Sequence, residues 1–271
     1  MDGILSFNAI KKQVKYKDFN LYLKGAHSTV GLFNSMNDKK EIRQIIAIGG
    51  GGFGRNPNKP TIEEYIVNQS NATKPNILFI PTASAEDKAY TVNFYKSFGQ
   101  LNTSLSVLNF FQRTPRLDSL INKQDIIYVG GGNTKSMIAV WKEWKLDKLL
   151  EKAYLNGTIL CGVSAGAICW FNKGITDSWA SNLNIMDCLS FVPGTCCPHY
   201  NSEADRRPIV HNLIKNKKMN DCYAVEDGSA VHFKDEKLNS AVGFYKNAHS
   251  YIVKNTSKGI VEEKIPSIDI S

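Results

Sequence analysis

Ser164, in Gly162-Val163-Ser164-Ala165-Gly166, is the residue of this 271-residue chain best placed for covalent chemistry. The apolar run Thr158-Ile159-Leu160-Cys161 precedes it, and Ala167-Ile168-Cys169-Trp170 follows. β-Formers, then Gly-x-Ser-x-Gly, then helix-compatible residues are the sequence form of a nucleophile elbow. Glycines on both sides of the Ser let a strand turn sharply into a helix, leaving the hydroxyl exposed. The N–H of Ala165, at the helix start, then becomes available to a developing oxyanion.

A serine nucleophile needs a base, and the base needs an orienting acid. His199, in Cys196-Cys197-Pro198-His199-Tyr200, follows the apolar Leu189 to Pro193 and sits at an expected strand end. The other histidines lie in less suitable settings: His27 and His249 in irregular sequence, His211 in a surface helix and His232 within a strand. Glu226 ends the run Cys222 to Val225, before Asp227-Gly228, and Asp177 lies in Thr176-Asp177-Ser178-Trp179. Both acids are candidates for the third position. The chain order Ser, His, acid differs from the Ser, acid, His of α/β-hydrolases.

Two glycine runs accompany these residues. Gly130-Gly131-Gly132-Asn133-Thr134 brings backbone N–H groups close to a ligand, as the second half of an oxyanion hole; Asn133 or Thr134 can cap the next helix. Gly49-Gly50-Gly51-Gly52-Phe53-Gly54 satisfies Gly-x-Gly-x-x-Gly, but it runs into Arg55-Asn56-Pro57-Asn58-Lys59-Pro60. Two prolines there oppose the immediate helix that a pyrophosphate site requires, so no nicotinamide or flavin is expected.

The elements that hold these loops are legible as short apolar runs: 44–48, 76–81, 105–110, 125–129 and 158–163. Stretches long enough for helices separate them, notably Lys135 to Leu150. Continuous apolar strands alternating with helices imply a mostly parallel sheet covered on both faces, with ligands at the carboxyl ends of its strands. After Gly166 the runs 222–225, 230–233, 240–245 and 250–253 are closely spaced, which predicts antiparallel hairpins at one side of that sheet. Residues 1–41 lack the rhythm and read as an N-terminal arm of unknown role; 42–271 read as a single α/β domain.

The formal charge of +8 is scattered, with a tight cluster at 215–218, and no basic stripe with interleaved aromatics appears. Solvated lysines account for it better than nucleic acid does. None of the six cysteines is in Cys-x-x-Cys spacing, so neither zinc nor any other metal is expected, and reduced thiols fit all six. No apolar run reaches the roughly 20 residues that cross a bilayer, and no signal-peptide pattern opens the chain. A cytoplasmic protein without membrane partners follows.

The ordered set 45–51, Phe79-Ile80-Pro81-Thr82-Ala83-Ser84, 128–134, 162–167, 198–200 and 225–228 resembles the peptidase E family. This is the aspartyl dipeptidase and cyanophycinase group, whose fold is that of class I glutamine amidotransferases. The resemblance implies a three-layer sandwich and a cofactor-free serine peptidase acting on short peptides. It implies a Ser164, His199, Glu226 triad, with oxyanion donors at Ala165 and at Gly131 or Gly132. Asn133, Asp177, Arg206 and Arg207 are then candidates for the substrate pocket. Aspartyl dipeptidases carry an Arg after the catalytic His; here Asp205 stands there, with Arg206 and Arg207 following, so a strict aspartyl preference is not expected. The rival readings are another amide or ester hydrolase on the same scaffold, and a binding protein with a relict site. Oligomeric state is left open, a homodimer included.

Overall fold

The computed structural model describes residues 41–179 and 182–271. The arm expected over 1–41 therefore lies, but for Glu41, outside the described residues.

The five apolar runs form β1 (Gln44–Ile48), β2 (Asn76–Ile80), β3 (Ser104–Val107), β4 (Ile126–Val129) and β5 (Ile159–Val163). They pair in parallel in the order β3-β2-β4-β5-β1. Alternation along each strand explains why the runs are continuously apolar: both faces are covered. Ile46, Ile48, Phe79 and Tyr128 face one core with Ile62 and Ile66 of α1 (Thr61–Val67) and Phe94 and Phe98 of α2 (Lys88–Phe98). Ile45, Ala47, Leu78, Ile80, Ile127 and Leu160 face the other. That core includes Ile121 of α3 (Leu117–Ile121), Met137, Ile138 and Trp141 of α4 (Thr134–Glu143), and Leu146, Leu150, Ala153 and Tyr154 of α5 (Leu146–Leu155). The α5 spacing of i, i+4, i+7 and i+8 is one helical face. Most of these side chains are fully buried, and each Ile, Leu, Phe and Met among them contributes about 1.5–3 kcal/mol of transfer free energy. The helix–sheet–helix layering is the expected α/β architecture.

The C-terminal half departs from the single sheet expected there. β10 (Ser229–Lys234) and β11 (Lys237–Gly243) do form a hairpin that extends the main sheet antiparallel to β1, with β14 (Ser267–Asp269) at its edge. The runs at 222–225 and 250–253 instead belong to a second sheet. Its order is β13 (Gly259–Lys264), β12 (Ser250–Thr256), β9 (Asp221–Val225), β8 (Val192–Cys197), β6 (Phe171–Thr176) and β7 (Asn184–Asp187). The carboxyl-terminal parts of its inner strands β6, β8 and β9 are also covered on both faces. Phe171, Val192, Cys196 and Val225 join the second core of the main sheet. Ile175, Cys197, Cys222 and Ala224 pack against Val210 and Ile214 of α7 (Arg206–Lys215). With α7 on its far side, this layer forms a sheet of its own. No helix among the described residues is long and apolar enough to cross a membrane.

His232 of β10 lies inside the fold, held between Tyr65 Oη at 2.8 Å and Gln44 Oε1 at 3.0 Å. Burial lowers its pKa to about 4, with Lys234 acting in the same direction. The folded state thus refuses a proton that the unfolded chain accepts near pH 6.5. Stability is lost as pH falls from about 6.5 towards 4 and levels off below. We expect urea unfolding free energy to drop by roughly 2 kcal/mol more between pH 7 and pH 5 in wild type than in His232→Gln.

Candidate active site

The strands of both sheets deliver their carboxyl ends to one place. Ser164 follows β5 and precedes the short helix α6 (Ala165–Ile168). Its φ of 56° and ψ of −110° are the strained conformation of an elbow, fixed by Ser164 N–H donating to Ile48 O at 3.0 Å. Flanking glycines are a packing necessity: a Cβ on Gly162 or Gly166 would collide with Val129 O of the neighbouring strand. His199 follows β8, also at positive φ, and its N–H donates to Gly49 O beyond β1 at 3.3 Å. Ser164 Oγ donates to His199 Nε2 at 2.8 Å, and His199 Nδ1–H donates to Asp227 Oδ1 at 2.7 Å. The hydrogen bond from His199 holds Asp227 below the ordinary carboxylate range against the opposing effect of partial burial. Ser202 and the charge of Arg55 act in the same direction.

The acid on His199 is therefore Asp227, which corrects the expectation of Glu226. Adjacent residues leaving a strand point to opposite sides. Asp227 forms a parallel bridge with Gly50 and faces the imidazole; Glu226 is buried on the other side, where its Oε2 accepts His249 N–H at 2.9 Å. The rival acid Asp177 is largely exposed and 4.0 Å from Arg206 Nη2.

The expected pocket residues are also redistributed. Arg206 is fully buried, bound to Glu203 Oε2 at 2.7 Å and Ile175 O at 2.9 Å. Arg207 pairs with Glu262 and lies 4.5 Å over the Tyr200 ring. Asn133 caps α4, its Oδ1 accepting from Ser136 N at 2.9 Å. None of these three lines the cavity beside Ser164, because each is engaged elsewhere, and Asp177 does not line it either. Gly131 does line it, whereas Gly132, at φ 134°, is turned against Ala83.

That cavity, of about 670 Å³, opens between Ser164 and α2. Phe53, Arg55, Ser84, Tyr90 and Asn93 line it beside Ser164 and His199. Tyr90 stacks on Phe53, with ring centroids 5.1 Å apart, and burial pushes its phenol up to about 12, so it stays neutral. Arg55, Tyr90 and Asn93 were not foreseen from sequence. The one signal available was the prolines after Gly54, which keep Arg55 in a loop. Burial raises the thiol pKa of all six cysteines, all of which are unpaired, so Ser164 has no thiolate competitor here.

The model of peptidase family S51 matches residues 45–241. An uncharacterized peptidase of Bacillus subtilis (strain 168), YgaJ, is 44% identical over 227 residues, covering 83% of this chain and 98% of the relative. Peptidase E of Pasteurella multocida (strain Pm70) is 25% identical over 190 residues, 66% of this chain and 78% of that one. Among solved structures, a peptidase from an acI-B1 Actinobacterium superposes with a TM-score of 0.60 at 18% identity, covering 84% of this chain and 96% of the other. That last likeness is one of fold. With the family match spanning most of the chain, this protein belongs to peptidase family S51, the peptidase E family, and is a serine-type peptidase.

Proposed function

We propose that the peptidase hydrolyses short peptides through an acyl-enzyme on Ser164, with His199 as base and Asp227 as orienter. The observation that carries this reading is the hydrogen-bonded chain from Ser164 through His199 to Asp227, opening onto a cavity of about 670 Å³. That volume suits a ligand of a few residues. Ser164 Oγ attacks the scissile carbonyl carbon as its proton passes to His199 Nε2. The N–H groups of Gly131 and Ala165 receive the oxyanion. His199 returns the proton to the leaving nitrogen as the C–N bond breaks; it then takes one from water, whose oxygen attacks the acyl carbon, and delivers it to Ser164 Oγ as the ester bond breaks. Asp227, ionised throughout, keeps the Nδ1–H tautomer that this cycle needs.

The test is covalent labelling. Intact-protein mass spectrometry after exposure to a small fluorophosphonate should show one adduct on wild type and none on Ser164→Ala. A well-folded wild type that takes no adduct, or a Ser164→Ala protein that still does, contradicts the reading.

A further inference from the structure

The cavity beside Ser164 holds a guanidinium with no hydrogen bond to Ser164, His199 or Asp227, although its charge favours the Asp227 carboxylate. Arg55 lines it, and its Nε donates to Gly51 O at 2.7 Å, which fixes the root of the head group. Among the described residues no ion pair involves Arg55. Asp87 also borders the cavity, but its Oδ1 already accepts Tyr90 N–H at 2.6 Å. A guanidinium with its terminal nitrogens uncommitted offers a planar fork that matches a carboxylate.

Its location says which carboxylate. His199 Nε2 must hand a proton to the leaving nitrogen, so the leaving half of a peptide lies on the imidazole side of Ser164. The loop before Arg55 is on that side: Gly49 O accepts the His199 N–H, and Gly50 lies against the His199–Asp227 bond. The oxyanion itself points to Gly131, after β4, and to Ala165, in α6, away from that loop.

Resting on the acyl-enzyme reading of Ser164, we propose that Arg55 is a specificity-determining residue that binds the free α-carboxylate of the leaving residue. Substrates are then peptides cut at their last bond, dipeptides among them. The amide of the same peptide lacks the charge and loses this contact.

Binding isolates the claim from turnover. Ser164→Ala protein should be titrated with Ala-Ala, Asp-Ala and Phe-Ala, each as free acid and as C-terminal amide. At least one acid should bind on the order of ten- to a hundredfold tighter than its amide, as a charge-assisted pair predicts. Adding Arg55→Gln should bring that ratio to about one, and Arg55→Lys should restore part of it. In the Ser164-intact enzyme, Arg55→Gln should act mainly on KM for the acid. Equal binding of acid and amide, binding of neither, or a ratio that survives Arg55→Gln would overturn the proposal. Failure of fluorophosphonate to label wild type would remove the acyl-enzyme reading instead, and leaves this comparison intact.

Discussion

Asp227→Asn should lower kcat/KM for peptide hydrolysis by about 10⁴, while Glu226→Gln costs no more than about tenfold. The two acids are neighbours, yet their environments differ. The Asp227 carboxylate accepts the His199 Nδ1–H at 2.7 Å. An Asn amide there presents an N–H to the ring, which favours the tautomer carrying its proton on Nε2. That nitrogen can no longer accept the proton of Ser164, although the side chains occupy the same space. Glu226 accepts a backbone N–H from His249, and a Gln carbonyl can accept it equally well. Steady-state kinetics on the two variants, with circular dichroism to confirm the fold, decide between the acids. Comparable losses from both would mean that the imidazole is oriented some other way. Because Asp227 is held below the ordinary carboxylate range, its own protonation should not shape the rate profile near neutrality.

Gly50→Ala should be almost as damaging, by a factor of at least about 10³, although Gly50 has no side chain to take part in chemistry. A Cβ built there would overlap Asp227 Oδ1 and stand 2.7 Å from His199 Nδ1, in the space that the His199–Asp227 bond occupies. The overlap can be relieved only by displacing the carboxylate or the loop. Overpacking of this kind costs roughly 1–3 kcal/mol, so a melting temperature lowered by several degrees is also expected. Kinetics of the double variant Gly50→Ala/Asp227→Asn separate this from a general loss of packing. Since both changes act on one hydrogen bond, the double variant should be about as slow as the slower single variant. Losses that multiply would show that Gly50 serves something other than that bond.

The contrast between Ser164 and Asp227 shows what the sequence makes legible. Ser164 is found by local rules alone: β-formers, two obligatory glycines and a helix start, all within ten residues. His199 is found by its position at a strand end. The parallel strands are found because continuous apolar runs report cover on both faces. Asp227 and Glu226 cannot be separated this way, because either could end the strand. The choice depends on the pairing of Asp227 with Gly50, far away in the chain. The second sheet is hidden for a similar reason: β9 and β10 have similar patterns, and only the cover supplied by α7 and the second core assigns them to different sheets. Arg206 and Arg207 lie close to His199 in sequence, but Glu203, Ile175 and Glu262 claim their guanidinium groups. After the glycine run at 49–54 the chain stays in a loop as far as Pro60, and α1 starts only at Thr61. The bareness of the run lets a backbone pass directly beneath the imidazole and its acid.

Ser164 stands on the main sheet, whereas His199 and Asp227 stand on the second. The hydrogen bond between Ser164 and His199 is thus a seam stitched across two independently paired layers. Neither layer holds a competent nucleophile by itself: one has a hydroxyl with no base, the other a base with nothing to deprotonate. In chain order β5 and Ser164 precede β8 and β9, so the hydroxyl is made before its base and its acid. The half-made chain, surrounded by its own unfolded peptide bonds, is chemically inert until the two layers close on each other.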